Sequence, residues 1–112
     1  MAKKNHADLA FGQLGSGFLD GATLNNSLTP PVGKVIVAIS FLGTMHLTGL
    51  VAENVAGSKS FAITAGQTGE GSGGEVVAST NKFPSGATIC GRWTSVTCAA
   101  QPSGGIIVYF GY

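Results

Sequence analysis

The sequence predicts an all-β protein: a small antiparallel β-sandwich or barrel behind an extended N-terminal arm. Short runs rich in Val, Ile, Thr and aromatic residues recur along 34–112, and Gly-, Ser- and Pro-rich turns separate them. The one helix-like spacing, Phe11, Leu14 and Phe18, is interrupted by Gly12, Gly15, Gly17 and Gly21, each costing about 1 kcal/mol in a helix interior. At 112 residues the chain is a single domain, of a size that buries roughly two-thirds of its unfolded surface.

Residues 1–33 read as the arm and 34–112 as the β domain. The arm carries the apolar anchors Phe11, Phe18 and Leu19 without a sustained period, and Thr29-Pro30-Pro31-Val32-Gly33 separates it from the first strand. Such a segment takes its conformation from a neighbouring surface; the alternative is a loosely ordered terminus with no partner. In the β domain, Val35, Val37, Ile39 and Phe41 alternate with Ile36, Ala38 and Ser40, a first strand apolar enough to be covered on both sides. Gly43-Thr44 turns the chain into a second strand from Met45 to Ala52, and Ser60-Phe61-Ala62-Ile63-Thr64 supplies a shorter third. Residues 66–74 are a Gly-rich loop without the Lys that a phosphate-binding loop needs. Residues 75–80 then give a fourth strand, 87–98 a fifth and 105–110 a sixth. Gln101-Pro102-Ser103-Gly104-Gly105 is turn chemistry, so a hairpin is expected between the last two.

Cys90 and Cys98 lie in one strand-like run. If the strand is continuous they share a face at about 26 Å, at ~3.3 Å per residue, and cannot bond to each other; a kink at Gly91 or a turn near Thr94-Ser95 would change that. They are expected to be half-buried, reduced thiols. Arg92 and Trp93 point to opposite faces, which puts Trp93 in the core with Ile89. Arg92, the only Arg, has a planar fork suited to a contact between subunits or with a shell.

Chemistry is sparse. His6 and His46 are isolated, and no second His or Cys sits at metal-ligand spacing, so no metal or cofactor is expected. Five acids scattered along the chain and a Gly15-Ser16-Gly17 outside any strand-to-helix context offer no catalytic set, so a structural role is expected and not an enzyme. Six Lys and Arg with a net charge of +1 do not form the basic patch that direct nucleic-acid binding needs. No run is long and apolar enough for a membrane span, and Met1-Ala2-Lys3-Lys4 leads into polar residues and not an apolar signal core, so synthesis and folding in the cytoplasm are expected. Only 10% of residues are charged, against roughly 25% in an average soluble domain. A surface so poorly supplied with charge is expected to be covered in part by copies of itself or by a partner.

The order Phe83-Pro84-x-Gly86-x-Thr88-Ile89-x-Gly91-Arg92-Trp93-Thr94-Ser95-Val96, followed by Gly105-Ile106-Ile107-x-Tyr109-Phe110-Gly111, resembles the C-terminal segment of small virion structural proteins of tailed bacteriophages, particularly those of cyanobacteria and marine bacteria. The likeness is close over about thirty residues and looser over 35–53. It implies a virion protein, and most readily a decoration or cement protein on the capsid surface, synthesised in the host cytoplasm. On that reading its partners would be the major capsid protein and copies of itself, with a trimer favoured; the apolar anchors of the arm and the fork of the only Arg make Phe11, Phe18, Leu19 and Arg92 the expected partner-binding residues. A receptor- or glycan-binding module of the tail or fibre is the alternative; an exposed Trp93 would favour it and a buried Trp93 the cement reading.

Overall fold

The computed structural model describes residues 14–20, 26–53, 60–63, 69, 71–73, 75–78, 80–98 and 104–112. Every regular element among them is a strand: β1 (Ser16–Asp20), β2 (Asn26–Leu28), β3 (Val35–Phe41), β4 (Leu47–Ala52), β5 (Thr88–Cys98) and β6 (Gly105–Gly111). They form one sheet in the order β1-β6-β3-β5-β2, with β4 attached to β5, and every pairing is antiparallel.

The eleven-residue β5 turns this sheet into a nearly closed barrel. Its first half pairs with β3, while Val96 to Cys98 pair with β2 and with β4. Between the halves the ladder skips a residue: Val51 opposes Ser95, Ala52 opposes Trp93, and Thr94 is the extra residue of a bulge. A bulge bends its strand and sharpens the local twist, which carries the end of β5 round towards β1. The two ends of the sheet then meet, as Asn26 Nδ2 donates to the Asp20 carbonyl (3.3 Å) and the Leu28 side chain lies 3.0 Å from where a Cβ on Gly17 would be. A side chain at Gly17 would push this seam apart.

Inside the barrel lie Leu19, Ile36, Ile39, Phe41, Met45, Leu47, Leu50, Trp93, Val96, Ile106, Val108 and Phe110, all buried. The central β3, between β5 and β6, buries residues on both of its sides, as its sequence suggested. Trp93 is fully buried, its ring edge-on to Phe61 at 5.5 Å, and its indole N–H donates to the Phe61 carbonyl at 2.7 Å. A buried indole needs such an acceptor.

Several expected elements change place. The arm was expected to stop at residue 33, yet Ser16–Asp20 and Asn26–Leu28 are strands of the sheet, and Leu19 lies in the core; residues 1–13, with Phe11, fall outside the described residues. A five-residue strand with one inward side chain shows no alternation for a sequence to reveal. The hairpin expected between the last two strands is absent, because β3 lies between β5 and β6 and pairs with both. Residues 60–63 and 75–78 are not strands. Each is tied down by a backbone bond, Ile63 N to Leu50 O and Val77 N to Ala62 O. The polar groups of 60–61 go to β5 instead: the Ser60 hydroxyl accepts from the Arg92 backbone N–H (2.8 Å), and the Phe61 carbonyl accepts from Trp93.

Candidate functional site

The residues that carry the phage-protein resemblance build the barrel. Phe83 stacks on Phe41 at 4.6 Å with rings 8° from parallel, and its backbone pairs with Met45 through both N–H and C=O. Pro84 to Ala87 then make a tight turn, closed by Ala87 N to Pro84 O and helped by Gly86 at φ 86°. Gly91 has no room for a side chain, since a Cβ there would stand 2.6 Å from the Trp93 ring and 2.7 Å from the Ser60 hydroxyl. At Gly105 a Cβ would run into the Leu19 carbonyl of the neighbouring β1.

Arg92, expected at a contact with a partner, clasps its own chain. Its Nε donates to Glu53 Oε1 at 2.6 Å and its Nη2 to Glu53 Oε2 at 3.3 Å, a two-pronged ion pair. Its Nη1 donates to the Tyr112 carbonyl at 2.8 Å. The guanidinium thus ties the end of β4 and the residue after β6 to β5. Leu19, also expected as an anchor for a partner, is an inward-facing core residue of β1. Phe18 is the expected anchor that the structure leaves open, 59% exposed on the outside of β1.

The cysteines differ from expectation. Residues 90 and 98 would share a face in a regular strand, but the bulge at Thr94 reverses the alternation, so Cys90 is exposed and Cys98 buried, and neither is bonded. Burial, with the nearby Asp20 carboxylate second, pushes the Cys98 thiol up to about 11.

What sequence reasoning missed is the surface around Phe18. The register of β1, β6, β3 and β5 lines up two rows across the outside of the sheet: Ser16, Tyr109, Ala38 and Cys90 in one, and Phe18, Ile107, Ser40 and Thr88 in the other. Neither row contains a charge. Ile107 and Tyr109 sit at alternate positions of β6, as the run at 105–110 allowed, but only the pairing with Phe18 and Ser16 places them beside β1. Among the described residues, no three His, Cys, Asp or Glu come together as a metal-binding group. No protein-family model, no curated protein and no solved structure matches this chain.

Proposed function

We propose that this protein is a phage virion structural protein that decorates or cements the capsid, binding the major capsid protein and acting as a small oligomer. The observation that carries this reading is how the residues of the resemblance are used. Phe83, Gly86, Gly91, Trp93 and Gly105 go to stacking, turns and close approaches, the requirements of a rigid building block. The outer side of the sheet offers two rows of uncharged residues across β1, β6, β3 and β5. Many weak contacts made together by several copies stabilise a shell through high effective concentration. The glycan-binding alternative would draw on an exposed Trp93, and that ring is buried.

The test is co-sedimentation of the full-length protein with expanded phage capsids, followed by electron microscopy of decorated particles. Ordered density on the capsid surface and greater resistance of the shell to heat are the expected results. Density confined to the tail, or binding to a glycan surface without capsid binding, would replace this reading with the alternative.

A further inference from the structure

Residues 60–63 lie against β5 just where β4 leaves it, since Ala52 opposite Trp93 is the last pair of that ladder. The Arg92 backbone N–H donates to the Ser60 hydroxyl at 2.8 Å, the Trp93 indole N–H to the Phe61 carbonyl at 2.7 Å, and the Ile63 N–H to the Leu50 carbonyl at 3.0 Å. Of these bonds only the last joins backbone to backbone, so side-chain ties and not a ladder hold the segment down. Gly91 makes the seat for Ser60, because a Cβ there would stand 2.7 Å from the Ser60 hydroxyl. Ala62 is fully buried, and Phe61 meets the Trp93 ring edge-on at 5.5 Å. Further out, the Val77 N–H donates to the Ala62 carbonyl at 3.0 Å, and a Cβ on Gly69 would stand 3.0 Å from the Phe61 nitrogen. Those residues rest on 60–63.

The strands underneath keep their pairing without this segment. Trp93 is paired with Ile36 of β3 on one side and Ala52 of β4 on the other, and Leu50 is paired with Val96. If 60–63 lifts away, the Arg92 N–H, the Trp93 indole N–H and the Leu50 carbonyl pass together into water, so none of them is stranded without a partner. We infer that residues 60–63 form a detachable strap that opens as one unit, with the barrel still folded, and uncovers the only Trp of the chain. A segment tied by so few backbone bonds opens at a lower free energy than the strands it covers. Its three bonds break together because they lie within four consecutive residues and share the packing of Phe61 on Trp93. Closed, this side of the barrel hides its indole. Open, it presents that indole beside two N–H donors and one carbonyl acceptor. The inference goes beyond the capsid reading and does not depend on it, because it concerns the free protein.

Hydrogen exchange of the full-length protein, followed by NMR at a series of urea concentrations below the unfolding transition, reads the opening. The reporters are the Arg92 amide, the Trp93 indole N–H and the Ile63 amide, compared with the amides of Ile39 and Val108 in the core ladders. The three strap reporters are expected to agree in protection within about threefold and to be protected at least about tenfold less than the ladder amides. Their exchange should also respond only weakly to urea, since opening exposes little surface. Ser60→Ala removes the acceptor of the Arg92 N–H. It should lower the protection of all three reporters together and leave Ile39 and Val108 unchanged relative to global stability, which a urea titration followed by circular dichroism supplies. Strap reporters that exchange with the same protection and urea dependence as Ile39 and Val108 would overturn the inference, because the segment would then open only with the whole barrel. Three reporters with unrelated protection, or a Ser60→Ala effect confined to Arg92 or missing altogether, would overturn it equally, since the segment would not move as a unit.

Discussion

At Arg92 one side chain joins three parts of the chain, and its geometry sets what a substitution costs. Lys carries the same charge but only a point-like head, so it cannot hold both Glu53 oxygens and the Tyr112 carbonyl at once. With a side chain about one-third exposed, solvent screens the ion pair, and Arg92→Lys is expected to cost about 0.5–1 kcal/mol in a urea titration. The two thiols give a sharper contrast. Cys90 should react with a thiol reagent in the native protein, and Cys98 only after unfolding. The Cys98 thiol has its pKa raised from 9.0 to about 11, so the native state holds its proton where the unfolded chain has lost it. Its contribution to stability is therefore complete below about pH 9 and is lost as pH rises through about 11. Thermal melts across that range should show an alkaline decline that is diminished in Cys98→Ala, which also carries a pH-independent packing cost.

Strand β1 shows at the level of an element how neighbouring side chains divide their duties. Leu19 faces the core at 5% exposure and Phe18 faces outwards at 59%. Leu19→Ala is expected to lower stability by about 2–5 kcal/mol through the cavity it leaves, whereas Phe18→Ala should leave the unfolding midpoint nearly unchanged. Chemical denaturation of the two variants side by side checks both. In β5, Gly91→Ala forces a methyl against the Trp93 ring and should cost about 1–3 kcal/mol. These same elements show how far the sequence could be read. Long apolar runs announced β3, β4, β5 and β6, and Trp93 was legible as core because a lone Trp in a strand-like run has few other places to go. Phe18 was legible as an outward anchor, but its pairing with Leu19 was not, since a strand shorter than two periods does not reveal which side faces in. The Thr94 bulge was equally hidden: nothing in Thr94-Ser95 distinguishes an extra residue from a regular one, and that one residue decides which cysteine is buried. The role of Arg92 depended on Glu53, thirty-nine residues away, a distance at which no local pattern applies.

The whole molecule is held together by its ladder order more than by any single contact. β6 occupies the slot between β1 and β3 and supplies Ile106, Val108 and Phe110 to the core. Truncation before Gly105 is expected to abolish the fold entirely, with circular dichroism showing loss of strand signal and not a smaller native core. The reason lies in the pairing pattern: among the described strands, β4 and β5 are the one sequential pair that shares a ladder, and even Ala52 and Trp93, the nearest partners in any ladder, lie more than forty residues apart. A chain built this way has no local nucleus from which to start. Loop closure must be met before any pairing rewards it, which places refolding in the slow range of milliseconds to seconds typical of non-local β topologies. During synthesis, β3 waits with both edges unpaired until β5 and then β6 emerge from the ribosome, so the time of greatest exposure to aggregation is the interval before the last strand is made.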